Sequence, residues 1–152
     1  MQYLTSFAPL PAPMIEELAE LSELVFSPPG IDHGWRLGRM PEVSVFHARS
    51  EGRLIAFKAG YAIAERKYYS WLGAVHPDYR QRGIANQLTR MQHAWLVEHG
   101  YSAVETSSRA DNHVMAHLNL STGFVVQGTK AEPHGLQVLW SKRLASTTGS
   151  CA

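Results

Sequence analysis

Residues 71–100 read WLGAVHPDYRQRGIANQLTRMQHAWLVEHG, and the rest of the chain is organised around them. Trp71, Leu72, Ala74 and Val75 have strand character, and His76-Pro77-Asp78 reads as a tight turn. A loop follows, Arg80-Gln81-Arg82-Gly83-Ile84-Ala85, and then a helix. Ile84, Leu88, Met91 and Trp95 recur at helical spacing and predict its buried face, with Gly100 as the stop after His99. Gly83 and Ala85 at a helix start leave backbone N–H groups uncovered by bulky side chains. At the positive end of the helix dipole, such N–H groups suit a phosphate or pyrophosphate. Arg80 and Arg82 add charge beside them. The stretch predicts a phosphate-bearing cofactor at the mouth of the helix.

Upstream, Tyr3, Leu4 and Phe7 predict a short strand within residues 1–10. Pro11 and Pro13 end it and prepare a helix, since proline is tolerated in a first turn. Met14, Leu18, Leu21 and Val25 line one face of that helix, and Glu16, Glu17, Glu20 and Glu23 form a solvated one. Ser27-Pro28-Pro29-Gly30 breaks it, and residues 31–41 form a loop or short irregular helix carrying His33, Trp35 and Met40. Residues 43–49 alternate as a strand, and Glu51-Gly52 turns the chain into a second at 54–64. Glu65-Arg66 turns it again into a third at 68–75, which feeds the Arg/Gly loop.

Downstream of the long helix, residues 103–107 are a short strand. It is expected to run parallel to the third, because strand–helix–strand units cross over right-handed. Asp111 or Asn112 caps a further helix with Val114, Met115 and Leu118, which stops at Gly123. Residues 124–129 and 136–144 close the chain as two strands. Residues 146–152 are small and polar, a frayed tail. With no repeat and no linker, residues 1–145 are expected to form one α/β domain with a mixed sheet.

At 152 residues, 45% hydrophobic and 18% charged, the chain is sized for one domain with a real core. A net charge of +1 implies no general polyanion-binding surface. The one cysteine, Cys151, excludes an internal disulfide framework and any cysteine-based metal site, and fits a reducing cytoplasm. The opening residues lack a basic region leading into an apolar run, so no signal peptide is expected. No apolar stretch approaches the roughly 18 residues that would span a bilayer. A cytoplasmic protein without a membrane partner is expected.

These residues together resemble the GNAT superfamily of acyl-CoA-dependent N-acyltransferases. The loop fits its Gln/Arg-x-x-Gly-x-Gly/Ala signature as Arg80-x-x-Gly83-x-Ala85. Around it, a strand ending Gly73-Ala74-Val75, a His-Pro-Asp-Tyr turn, a long helix, a strand, an Asn-headed helix and Gly123-Phe124 follow in the family's order. The similarity runs over residues 43–144. The fold it implies is a mixed, mostly antiparallel sheet splayed between two central parallel strands and flanked by helices. It also implies acetyl-CoA as co-substrate: the pantetheine arm on Gly73, Ala74 and Val75, and the pyrophosphate on the N–H groups of Gln81, Arg82, Gly83, Ile84, Ala85 and Asn86. Asn112 corresponds to the asparagine that contacts the cofactor arm. The implied reaction is direct attack of an amine on the thioester carbonyl in a ternary complex, with a backbone N–H near Val75 stabilising the oxyanion.

The chain departs from the family where protons move. The position from which a tyrosine often protonates the departing sulfur is Asn119 here. An amide cannot give up a proton, though its NH₂ can hydrogen-bond the sulfur, and a thiol of pKa about 8.5 leaves tolerably without a strong acid. Positions that hold the general base in family members such as serotonin N-acetyltransferase align with Tyr69 and Trp71, on one face by alternation. Tyr69 either relays a proton through water or lines the acceptor pocket, and Glu105 and His117 are further candidates. With no carboxylate base in view, an amine of low pKa is the favoured acceptor: a small molecule, a peptide or a protein N-terminus.

Other residues have plainer readings. His113 and His117 are spaced four apart on one helix face, but no third ligand matches, so no metal is expected. His33, His47, His93, His99 and His134 have no evident partner. Trp35, Phe26 and Met40 line an acceptor pocket or simply pack in the core. Tyr61, Tyr68, Tyr69 and Trp71 resemble a stacking platform, but without a basic stripe they do not predict a nucleic-acid partner. The last two strands offer a route to a homodimer. An acyl-CoA sensor of the same fold without turnover is the rival function, supported by Asn119 and the missing base. A nucleotide-binding regulator is disfavoured, since neither a Walker loop nor the dinucleotide glycine triplet is present.

Overall fold

The computed structural model describes residues 1–26 and 33–145. The expected helix break at residues 27–30, the first two residues of the following loop, and the tail with Cys151 lie outside the described residues. The chain forms a seven-stranded mixed sheet in the order β1-β2-β3-β4-β5-β7-β6. Its strands are β1 (Gln2–Phe7), β2 (Ser44–Ser50), β3 (Arg53–Ala64), β4 (Lys67–Val75), β5 (Ala103–Arg109), β6 (Val125–Glu132) and β7 (Gly135–Arg143). The helices are α1 (Ala12–Val25), α2 (His33–Leu37), α3 (Ile84–Glu98) and α4 (His113–Ser121). Contacts divide the chain into two compact units, Met1–Tyr61 with Leu72–Met91, and Ala62–Trp71 with Gln92–Ala152.

In the first unit, β1 pairs antiparallel with β2, and β2 with β3. Glu51 (φ 51°) and Gly52 (φ 79°) are both left-handed, the turn geometry whose twist matches a two-residue hairpin. The consecutive residues Val45 and Phe46 are both fully buried, as are Ile55 and Ala56, so both faces of these strands are covered. Met14, Leu18 and Leu21 are the buried stripe of α1, as the spacing predicts. Its glutamates are not uniformly solvated. Glu17 accepts a two-pronged contact from the Arg49 guanidinium at 2.8 and 2.9 Å. That hydrogen bonding holds the Glu17 carboxyl below its usual range.

In the second unit, β4 and β5 are parallel, residues 67–69 lying opposite 103–105, and β4 itself runs on to Val75. β5 pairs antiparallel with β7, and β7 with β6. Tyr68, Leu96, Val104, Phe124 and Trp140 form the core here. The indole N–H of buried Trp140 donates to Ser108 Oγ at 2.9 Å, so its one polar atom is satisfied. The end of α3 is closed by its own backbone. Gly100 (φ +83°) donates to the Val97 carbonyl and Tyr101 to that of Leu96, the pair of bonds that a left-handed residue after a helix permits.

Several expectations change. The buried line of α3 runs through Ile84, Leu88, Gln92 and Leu96, with His93 beside it, while Met91 and Trp95 are only half-buried. With 3.6 residues per turn a strict four-residue step winds slowly around the helix, so the buried line leaves the apolar spacing and takes in the polar Gln92 and His93. In α4 the apolar residues do not mark the inner face: Val114 is 81% exposed and Asn119 only 2%. β6 runs three residues past its expected end and is exposed along almost its whole length, as the edge position allows. Trp35 (57% exposed) and Phe26 (38%) are not core residues. Tyr68 and Tyr69 alternate in burial, so Tyr68 turns into the core and is not part of an exposed aromatic face. Among the described residues, no helix is long and apolar enough to cross a membrane.

Candidate functional site

The first unit holds the loop on which the cofactor expectation rests. β4 ends at Val75, where His76 N–H donates to the Ile55 carbonyl at 2.8 Å. The predicted turn is a 3₁₀ turn, Pro77–Tyr79, capped by His76 Nδ1, which accepts from the Asp78 N–H at 3.1 Å. Gln81 (φ +62°) and Gly83 (φ +76°) are both left-handed, and the first bond of α3 runs from the Gln87 N–H to the Gly83 carbonyl at 3.0 Å. The N–H groups of residues 83–86 therefore precede the helical ladder and have no partner within it. Alternating handedness next to a helix start turns successive N–H groups toward one concavity, the geometry that holds anions.

The side chains around the loop leave that concavity uncrowded. Gln81, Arg82 and Gly83 are exposed, and a Cβ placed on Gly83 meets nothing within 4 Å. Ile84 points inward as the anchor of the helix start. Arg80 Nε donates to the Val75 carbonyl at 3.4 Å, and the Arg82 guanidinium lies 5.0 Å from the centre of the Tyr79 ring. The two cations are held at the loop, and no acidic residue stands in the first turn of α3. Asn86 Oδ1 accepts from Arg90 Nε at 2.6 Å, and Thr89 Oγ1 donates back to the Ala85 carbonyl. Asn86 thus offers its main-chain N–H rather than its side-chain carbonyl.

The end of β4 is open in the same unit. Gly73 is exposed in the middle of the sheet, while Ala74 turns its methyl into the core at 6% exposure. A Cβ on Gly73 would stand 3.4 Å from the Phe57 carbonyl and 3.9 Å from Lys58 Cγ, ordinary contact distances. A glycine here leaves main chain reachable from outside. That is what the residues must offer to fit coenzyme A: an accessible strand for the arm, and unpaired amides with cationic flanks for the diphosphate.

Lys58 is the residue that the sequence reading passed over. It is half-buried on β3, and loss of solvation lowers its pKa from 10.5 to about 8. Its signal was there to find, a lone charge inside the uncharged run LIAFKAGYAIA at residues 54–64.

The second unit holds Tyr69, Asn112 and Asn119. Tyr69 Oη shares a 2.7 Å hydrogen bond with Ser107 Oγ. Glu105 is taken up by Lys67 at 3.2 Å, which removes it as an unencumbered base. His117 is exposed on α4. Asn112 caps α4, its Oδ1 accepting from the Met115 N–H at 3.1 Å, so its amide hydrogens are what it can offer a ligand. Asn119 is 2% exposed and its Nδ2 has no partner among the described residues. A buried donor left without an acceptor costs about 1–3 kcal/mol, a cost that a bound acceptor relieves.

Four of the histidines without an evident partner in the sequence do have one. His47 Nε2 meets Ser6 Oγ at 3.0 Å, and burial lowers its pKa. His93 Nδ1 lies 2.9 Å from Lys142 Nζ, which also donates to the Thr122 carbonyl at the end of α4. His99 stacks on Trp95, and His33 meets Phe26 edge-on. Among the described residues, no group of three His, Cys, Asp or Glu could hold a metal ion.

The sequence profile of the acetyltransferase (GNAT) family matches residues 12–124. This chain belongs to that family. The GNAT profile thus takes in α1, the Arg/Gly loop and α4, well beyond the loop signature alone. Comparison with curated protein sequences gave no match. Among solved structures, this GNAT chain resembles the ribosomal-protein-S18-alanine N-acetyltransferase from Escherichia coli. The TM-score is 0.80 at 16% identity, over 98% of this chain and 99% of that one. An aminoglycoside 6′-N-acetyltransferase complexed with coenzyme A matches at 0.80 and 12% identity, over 95% and 98%. The PaiA N-acetyltransferase from Thermoplasma acidophilum, also with coenzyme A, matches at 0.74 and 15%, over 94% and 99%. At these identities the likeness establishes the GNAT fold alone.

Proposed function

We propose that the protein transfers an acetyl group from acetyl-CoA to a primary amine of a small molecule, a peptide or a protein N-terminus. The observation that carries this reading is the loop at the front of α3. Gln81 and Gly83 are left-handed, four N–H groups precede the helical ladder, and two arginines flank them. The diphosphate of acetyl-CoA is assigned to the N–H groups of Gln81, Arg82, Gly83, Ile84, Ala85 and Asn86, with Arg80 adding charge. Its arm is assigned to the main chain of Gly73, Ala74 and Val75 and to the amide of Asn112. Acetyl-CoA, once bound, supplies a thioester open to attack.

Binding and orientation come first. Holding the amine and the thioester together makes the encounter effectively unimolecular. A strand N–H near Val75 is assigned to the developing oxyanion, where a preorganised donor acts more strongly than water. Asn119 is assigned to the departing sulfur as a hydrogen-bond donor, since its Nδ2 is buried without a partner. Tyr69, whose hydroxyl is already oriented by Ser107, is assigned to the acceptor side. The compartment proposed is the cytoplasm.

An acyl-CoA sensor without turnover is the second reading, favoured by Asn119 at the position where the family often has a tyrosine and by the absence of a carboxylate base. One measurement tests the shared ligand and a second separates the two readings. Acetyl-CoA at 100 times its Kd stabilises the fold by about 2.7 kcal/mol in thermal shift under either reading, while ATP and NAD do nothing. Thiol release from acetyl-CoA across an amine panel is expected for the enzyme, and release no greater than background would favour the sensor.

A further inference from the structure

This inference rests on the acetyltransferase reading and deepens it. Lys58 stands between Phe57 (1% exposed) and Ala59 (0%) on β3, and its register partner on β2 is Phe46 (0%). On its other flank, Cγ lies 3.9 Å from the position of a Cβ on Gly73. The stem therefore runs beside the strand glycine assigned to the cofactor arm. What faces Lys58 from the two flanking strands is an aromatic ring and a residue without a side chain, and its same-face neighbours on β3 are Ala56 and Gly60. Among the described residues no carboxylate pairs with it. No charged group from any packed element adds to the loss of solvation that lowers its pKa to about 8. A structural cation would be expected to have a counter-charge at this depth, because an unpaired ammonium out of water is costly. A half-buried stem beside Gly73, with no carboxylate paired to it, leaves loss of solvation free to favour the neutral amine.

We propose that Lys58 is the general base of the transfer, taking the proton from the acceptor ammonium beside the open main chain of Gly73. Neutral Nζ accepts one proton from the acceptor. The freed lone pair attacks the thioester carbonyl carbon, the C–N bond forms, the C–S bond breaks, and sulfur leaves with the bonding pair. The proton held on Lys58 neutralises the thiolate, and of the two protons then on nitrogen one goes to water and one stays as the amide N–H. A base near 8 is matched to an α-amine of about 7.7–8.0 and stands more than two pK units below a lysine ε-amine of about 10.4. The acceptor class that follows is an α-amine or another amine of similarly low pKa.

The test uses the full-length protein, acetyl-CoA, and short peptide amides with a free α-amine, set against N-blocked peptides carrying a lysine. Lys58→Met and Lys58→Arg are expected to lower kcat for the α-amine peptides about 100-fold at pH 7.5, within the range general base catalysis supplies. Acetyl-CoA affinity by thermal shift stays unchanged, which also reports an intact fold. The wild-type rate rises with pH through about 8, where Lys58 loses its proton, and the deficit of both variants shrinks toward pH 10 as the acceptor deprotonates itself. In the free protein, ¹³C-methylated Lys58 is expected to titrate well below the other lysines. Wild-type kcat in Lys58→Arg, or a deficit that does not vary with pH, overturns the base assignment and leaves the acetyltransferase reading standing. A wild type that binds acetyl-CoA yet releases no thiol with any amine overturns both.

Discussion

The two ends of α3 are built alike and left in opposite states. Each is set by a left-handed glycine, Gly83 at φ +76° and Gly100 at φ +83°, and neither glycine would crowd a neighbour with an added Cβ. At the C-terminal end the spare carbonyls of Val97 and Leu96 are taken by Gly100 and Tyr101, and Tyr101 packs onto the core that contains Leu96. At the N-terminal end the corresponding N–H groups precede the ladder, and arginines rather than a capping side chain stand next to them. One glycine closes a helix and the other holds one open. The left-handed φ is shared, so conformation alone does not separate a stabilising glycine from a ligand-binding one. What separates them is where the neighbouring polar groups go.

The contrast can be broken or sharpened by substitution. Leu96 is fully buried at the closed end, and Leu96→Ala is expected to lose about 3 kcal/mol of unfolding free energy in urea, with acetyl-CoA affinity unchanged in whatever remains folded. Gly83→Val at the open end is expected to weaken acetyl-CoA about 100-fold by thermal shift while the protein stays folded; unchanged affinity would take the loop out of the site. Gly100→Val tests the reverse: a loss of about 1–2 kcal/mol from forcing a Cβ into the left-handed region, with no loss of affinity. Asn112→Asp probes a helix start that is capped. Aspartate preserves the cap, so stability is expected to change by less than about 0.5 kcal/mol, whereas acetyl-CoA affinity falls if the amide hydrogens are what the ligand uses.

Much of this contrast could be read before the fold was seen. Gly83 at the start of α3 and Gly100 after its end were both legible, because a glycine flanking an amphipathic run has few other uses. The hairpin at Glu51-Gly52 and the parallel β4–β5 pair were legible for similar local reasons. The buried face of α3 was misplaced because Gln92 and His93 are polar by type and buried in fact, and periodicity counts only apolar residues. For the same reason the burial of Asn119 left no mark in the pattern of α4. Pairings across long separations, Glu17 with Arg49 and His93 with Lys142, leave no spacing signal at all. Lys58 was visible as an oddity in an apolar strand. Its chemistry was not, since a depressed pKa is set by what surrounds a group and not by its neighbours in sequence.

Gly73 carries a practical consequence. A methyl there would meet the Phe57 carbonyl at 3.4 Å, and its φ is not among the left-handed ones, so alanine fits without strain. A saturation scan scored on cellular abundance is therefore expected to rank Gly73→Ala as silent. The same library scored on acetylated product is expected to rank it among the damaging variants.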